Sequence, residues 1–192
     1  MNFDLQKAKK LLHNIWYFIW EDDSIESWVV NVILAFVLVK FVIYPLLGLM
    51  LSTSYPVVAV VSGSMEHNGL GFDAWWEENH EWYEENGFSL ETMQDAKLKN
   101  GFSKGDIIVL RGAKPEKVKK GDVIVYSTDR YKYPIIHRVA KIAGDYTLET
   151  KGDNNPSQDP APVSKEQVVG RAMFKIPWLG WIKIMFTSMT GG

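Results

Sequence analysis

The sequence predicts a mainly β protein carried behind one membrane-spanning helix. Three observations lead there. Residues 28–51, from Trp28 to Leu51, form the longest apolar stretch, longer than the roughly 20 helical residues that cross a bilayer's hydrocarbon core. From residue 104 onward, short β-branched runs alternate with Gly, Pro and Asp turns. Lys104-Gly105-Asp106-Ile107-Ile108-Val109 is also echoed, sixteen residues on, by Lys120-Gly121-Asp122-Val123-Ile124-Val125, a turn feeding a strand each time.

Composition narrows the function. The 192 residues suit one medium domain with appendages. A net charge of −2 leaves no electrostatic footprint for nucleic acid. There is no cysteine, which excludes disulfides, thiolate metal sites and a cysteine nucleophile. Eight tryptophans occur in clusters and, with the hydropathy, point to a membrane surface.

In residues 1–20, Leu11, Leu12, Ile15, Trp16, Phe18 and Ile19 recur at roughly helical spacing behind Lys7, Lys9 and Lys10. The segment reads as an amphipathic helix, either lying at a membrane interface or on an ordinary protein surface. An acidic connection follows at 21–26. The span at 28–51 contains one full charge, Lys40, which costs on the order of 3 kcal/mol near mid-span unless it snorkels or finds a partner. Pro45 is expected to kink its later part. The run is too long for the core of a cleaved signal peptide, and no compact small-residue cleavage site follows it. Three lysines precede the span, whereas Ser52 to Asp95 holds neither lysine nor arginine. Positive charge stays in the cytoplasm, so the expected topology is N-terminus inside. The expected division is a cytoplasmic segment 1–27, a transmembrane helix 28–51 and an extracytoplasmic domain 52–192.

The β-branched run at 57–61 ends in Ser62-Gly63-Ser64. Small residues at a strand end can present a hydroxyl, although the same residues build ordinary turns. Residues 72–100 interrupt the strand pattern with a helical insert. Trp75 and Trp82, like Trp76 and Tyr83, are seven apart and share a helical face. Asp73 is expected to cap its start and Gly87 to end it, with Ser89 capping a second helix that stops near Asn100-Gly101. The insert reads either as an acidic hairpin packed by its own aromatics or as a lid or partner-facing element. Further strands are expected at 107–109 and 123–125, joined through a turn at Pro115, and at 133–142, 146–150 and 167–174, with Gly144-Asp145 as a hairpin turn. Residues 151–162 form a polar, ordered loop. The apolar end, 176–186, is too short to span a bilayer but suits its interface.

A serine needs a base to take its proton. His137 is the candidate, on one strand face with Ile135 and Val139, although an apolar setting also suits a core histidine. The base needs an orienting acid, and Asp153 and Asp159 lie in the loop after the next strand. Their residue type also serves turns and caps.

These motifs resemble those of type I signal peptidases, in the branch found in archaea and the endoplasmic reticulum. The resemblance runs from the span to the end of the chain. It rests on Ser62-Gly63-Ser64-Met65, Gly105-Asp106-Ile107-Ile108-Val109, Gly121-Asp122-Val123-Ile124-Val125-Tyr126, His137-Arg138-Val139, Thr150-Lys151-Gly152-Asp153-Asn154-Asn155 and Val169-Gly170-Arg171-Ala172. It implies Ser64 as nucleophile, His137 in the place of the bacterial lysine base, Asp159 as orienting acid and Asp153 as a second important acid. The backbone N–H of Ser64, with the Ser62 hydroxyl, would hold the oxyanion. It further implies an antiparallel β catalytic domain whose groove takes preprotein signal peptides as an added strand, cutting after small residues at −1 and −3. The implied partners are the lipid bilayer and protein translocation machinery, in a single-pass cell-membrane protein with no cofactor or metal. The chain departs from the family at Glu66-His67, where a proline often follows the methionine, which makes His67 a rival base. The insert 72–100 is a second departure. A Ser/Lys repressor-type peptidase using Lys141 or Lys151, and a tethered binding domain without catalysis, remain alternatives. Pro160 restricts Asp159 to extended conformations and so aims it, whereas Asp153 is expected to bind nearby backbone N–H groups and shape its loop.

Overall fold

The computed structural model describes residues 5–131 and 133–189; residues 1–4 and 190–192 of the expected end segments lie outside the described residues. Two compact units are present, one up to Leu47 and one from Gly48.

In the first unit, α1 (Leu5–Trp20) buries no residue. Leu11, Leu12, Ile15, Trp16 and Trp20 are exposed. Ser24 caps α2 (Ile25–Leu38), its hydroxyl accepting from the Ser27 N–H. Asn31 Nδ2 donates to Ile19 O at 2.9 Å, which ties α2 back to α1. One continuous helix runs from Ile25 to Leu51, long and apolar enough to cross a membrane. Its middle, Val39–Ile43, is a π-helical turn before α3 (Tyr44–Leu51), and the Tyr44 N–H reaches back five residues to Val39 O. Pro45 explains the turn. It has no N–H, and its ring crowds the carbonyl four residues back, so the helix widens to accommodate it. Lys40 Nζ lies 5.3 Å from the Phe41 ring centroid and 5.7 Å from that of Phe36, so its partners within the helix are aromatic faces.

The second unit is built on one six-stranded sheet: β1 (Val57–Ala59), β2 (Ile107–Arg111), β3 (Val123–Tyr126), β4 (Ile135–Ile142), β5 (Leu148–Lys151) and β6 (Val168–Ile176). The order is β1-β2-β6-β3-β4-β5, and every pairing is antiparallel. The two Lys-Gly-Asp repeats feed β2 and β3 as expected, but these strands are not neighbours. The nine-residue β6 lies between them, pairing Val168–Arg171 with β3 and Arg171–Ile176 with β2. Alternation puts Val123, Val125 and Ile136 into one cluster with Val58, Ile108 and Leu110. Ile124, Tyr126 and Val139 pack on the other face with Leu148 and Val163.

The insert folds as α4 (Phe72–Glu85) and α5 (Leu90–Gln94). Its aromatics face inward: Phe72, Trp75, Trp76, Tyr83 and Phe88 form a buried cluster with Met93. Gly71, not Asp73, occupies the N-cap. Asp73 stands in the first turn, where its charge meets the positive end of the helix. Ser89 caps α5 as expected, but α5 ends at Gln94, and the left-handed φ of Leu98 (55°) and Gly101 (61°) prevents a longer helix. The β4–β5 turn is centred on Asp145 and Tyr146, both at positive φ, one residue later than the expected Gly144-Asp145.

The C-terminal α6 (Trp181–Met189) follows β6 and exposes Ile182 and Met185, and Trp178 is exposed in the connection before it. It is seated on the Lys104-Gly105 turn, with Gly180 N–H donating to Gly105 O at 2.8 Å. Gly105 has φ 95°, and a Cβ there would stand 2.0 Å from Trp181 Nε1. Gly69 also has positive φ (82°) but has nothing within 4 Å of a Cβ. Thermal melting should therefore separate the two. Gly69→Ala is expected to cost about 1 kcal/mol, the strain of a left-handed L-residue, and Gly105→Ala at least twice that, because the indole must also move.

Candidate functional site

β1 is an edge strand, and the chain leaves it through Val60 and Val61 into Ser62-Gly63-Ser64. A groove of about 710 Å³ opens beside it. Ala59, Val60, Val61, Ser62 and Ser64 form one wall, and Ile135, His137 and Asp159 lie among the residues of the rest. The structure thus brings Ser62, Ser64, His137 and Asp159 to one cleft. The Ser62 and Ser64 hydroxyls are 3.3 Å apart.

His137 pairs with Ile124 across β3–β4 and shares its face with Ile135 and Val139, as strand alternation predicts. Its Nδ1 lies 2.6 Å from Asp159 Oδ2. The same oxygen accepts from Thr150 Oγ1 at 2.6 Å and from Tyr126 OH at 3.0 Å, and the Asp159 N–H is held by Thr150 O at 2.7 Å. Partial burial pushes the Asp159 carboxyl up, but the hydrogen bond and charge of His137, with Thr150 and Tyr126, outweigh it and hold it below the usual carboxylate range. A carboxylate only accepts, so Nδ1 carries the proton and Nε2 has the lone pair. Burial and the Asp159 charge raise the Tyr126 pKa, against an opposing hydrogen bond from Thr150, so the phenol stays a donor.

Asp153 does not line this groove. It is fully buried on the other side of the sheet, and the expected partners are replaced: its carboxylate accepts from side chains. Arg138 Nε and Nη2 grip it at 2.8 and 2.6 Å, Tyr83 OH donates at 2.9 Å and His67 Nε2 lies 3.1 Å away. The reason lies in β4. Arg138 is the neighbour of His137, so its side chain leaves the opposite face. Its remaining N–H groups reach Lys97 O, Leu98 O and Gly121 O, so each of the five guanidinium donors has an acceptor. Burial would raise the Asp153 pKa, but the Arg138 guanidinium outweighs it and holds the carboxyl well below its usual range.

His67 is buried, stacked on Trp75 with ring centroids 4.0 Å apart, and away from the groove. Lys151 is also turned away. Its ammonium donates to Gly152 O and Asp153 O and sits 4.9 Å from the Trp82 ring centroid. Lys141 pairs with Glu149 at the surface. Neither lysine lines the cleft. Among the described residues, no group of His, Cys, Asp and Glu could hold a metal ion. Sequence reasoning missed Tyr126, Thr150 and Tyr83 as carboxylate partners. Thr150 and Tyr126 were visible only as motif letters, and Tyr83 only as an aromatic at helical spacing.

A hydroxyl and a carboxylate-bound imidazole thus line one cleft. No family model matches the chain. Curated relatives do. The chain is 29% identical over 159 residues to the signal peptidase complex catalytic subunit SEC11 of Scheffersomyces stipitis, covering 77% of this chain and 75% of that protein. It is 35% identical over 104 residues to SEC11 of Lachancea thermotolerans, covering 47% and 61%, and 29% identical over 102 residues to SEC11C of Homo sapiens, covering 47% and 53%. The chain spans about half the length of the mammalian relatives it matches. Its homologues are thus SEC11 catalytic subunits, of the endoplasmic-reticulum type within the type I signal peptidase family.

The Arg138–Asp153 pair gives a stability test. Asp153 has a folded pKa below its unfolded value. It therefore stabilises the fold above the unfolded pKa of about 4, and this contribution disappears as pH falls toward the folded value. Melting curves against pH should show that acid loss in the wild type and a flatter acid limb in Asp153→Asn. Arg138→Ala leaves a buried, unpaired charge and is expected to cost about 3–5 kcal/mol at neutral pH.

Proposed function

We propose that this chain is a membrane-bound serine endopeptidase that removes N-terminal signal peptides from preproteins. One observation carries the reading: His137, its Nδ1 on Asp159, opens into the same apolar groove as Ser64. The relatives named above are catalytic subunits of that activity, which supports the substrate class.

A substrate would enter extended and pair with the edge of β1, its backbone bonds giving affinity and its alternate side chains meeting the groove wall. Small residues at −1 and −3 fit a groove lined by Val60, Ile135 and Ile136, and larger ones meet that wall. Ser64 Oγ attacks the scissile carbonyl while His137 Nε2 takes its proton. His137 then protonates the departing amine. Water, deprotonated by His137, attacks the acyl ester and frees Ser64. Asp159 keeps the imidazole in the required tautomer and stabilises the imidazolium. The Ser64 N–H, with the Ser62 hydroxyl, would hold the oxyanion.

Cleavage of a model preprotein by the full-length protein in detergent tests this. Ser64→Ala and His137→Ala should abolish cleavage with melting temperatures preserved. Asp159→Asn should lose about 10⁴-fold in rate, because the amide cannot fix the tautomer. Cleavage that survives Ser64→Ala would remove Ser64 as the nucleophile, and no cleavage by the wild type would leave a tethered binding domain.

The lysine asymmetry supports a catalytic domain outside a cell membrane, with the N-terminus in the cytoplasm and a translocation machinery delivering substrate. In sealed vesicles of cytoplasm-inside orientation, added protease should digest a C-terminal tag and spare an N-terminal one. The reverse pattern would invert the topology.

A further inference from the structure

Two features depart from the family pattern that the sequence resembles: Glu66-His67 after the motif methionine, and the insert 72–100. They meet on one carboxylate. His67 stacks on Trp75 of α4, and its Nε2, facing a carboxylate that can only accept, donates to Asp153 Oδ2 at 3.1 Å. Tyr83, also of α4, donates to Asp153 Oδ1 at 2.9 Å. Arg138 supplies the other two donors, so each carboxylate oxygen accepts two hydrogen bonds. About four lone-pair sites are available on a carboxylate, and all are engaged. None of these groups lines the groove.

The backbone on either side of Asp153 grips the Ser64 segment. Asn154 N–H donates to Ser64 O at 2.8 Å, and Asn154 Nδ2 to Gly63 O at 3.0 Å. The Asp153 N–H meets Met65 Sδ at 3.3 Å. Gly152 packs so closely that a Cβ would stand 2.6 Å from Ser64 O. A displacement of Asp153 therefore passes directly to the Ser64 main chain.

We propose that His67 and Tyr83 are positioning residues, through which the insert holds Asp153 and, by the 152–154 backbone, fixes Ser64 in the groove. The inference rests on the peptidase reading for its kinetic consequence and on geometry alone for its structural one. The insert is then a buttress for the nucleophile segment. His67 serves as the orienting partner of a structural aspartate rather than as a second base.

The test uses the full-length protein with Tyr83→Phe, His67→Ala and His67→Gln. Tyr83→Phe keeps the ring in the aromatic cluster and removes one donor. His67→Gln keeps an N–H donor at the end of a side chain of similar reach. Misplacement by a fraction of an ångström to an ångström should lower kcat about 10- to 100-fold with KM within about twofold. This is expected for Tyr83→Phe and His67→Ala, with recovery of most of the loss in His67→Gln. Amide hydrogen exchange supplies a readout independent of cleavage. The Asn154 amide and those of residues 62–65 should exchange about tenfold faster in Tyr83→Phe and His67→Ala than in wild type. A lowered melting temperature with unchanged kcat and unchanged exchange at these amides overturns the proposal. So does a His67→Gln variant as impaired as His67→Ala. If wild type fails to cleave while the exchange rates rise as stated, the peptidase reading falls and the positioning role stands.

Discussion

The ion pair between Arg138 and Asp153 is the constraint on which the rest of the β unit's functional face depends. It joins four parts of the chain at a point without solvent: β4, the end of the insert at Lys97–Leu98, the turn at Gly121 and the loop after β5. A buried pair of this kind contributes little net stability compared with apolar residues of the same volume, because desolvating two charges offsets most of their attraction. What it contributes is position. A planar fork and a planar carboxylate fit in one relative orientation, and that orientation sets where the polypeptide runs for the next several residues.

The second constraint is the pleat. His137 and Arg138 are consecutive, so their side chains leave opposite faces of β4. The loop after β5 supplies one acid to each face, Asp153 to Arg138 and Asp159 to His137. The five residues between the two acids carry the chain around the end of the sheet, from a dry interior to the groove. Asp159 sits where partial solvent and three donors share one oxygen, and Asp153 where no water reaches. The two carboxylates thus have separate tasks, set by their surroundings.

Much of this was legible in the sequence, for physical reasons. The apolar span and the β-branched runs are periodic signals that tertiary packing rarely overrides. The Ser-Gly-Ser strand end, the flanked histidine and the proline after Asp159 pointed to the cleft residues that the fold assembles. Strand order was not legible. The Lys-Gly-Asp repeats mark where β2 and β3 begin, but nothing local says that a strand from residue 168 onward will lie between them. The partners of Asp153 were hidden for the same reason. A Gly-Asp-Asn-Asn stretch advertises turn chemistry, and only the fold brings a guanidinium, a phenol and an imidazole to it from as far away as residue 67. Of the two readings open for the insert, the structure shows the self-packed cluster, but helical spacing alone could not show that one of its hydroxyls leaves the cluster for a buried aspartate.

The central place of β6 has a consequence for how the molecule comes into being. The strand that unites the sheet is the last one synthesised. Until it emerges, no strand pairing joins β1–β2 to β3–β4–β5, and each has an open flank where β6 belongs. Ser64 leaves the first patch and His137 belongs to the second. The sheet that carries both residues is therefore completed only when a pairing of high sequence separation is made, the slow kind of folding step. A nascent chain interrupted before Val168 has Ser64, His137 and Asp159 but lacks the strand that joins the two patches into one sheet.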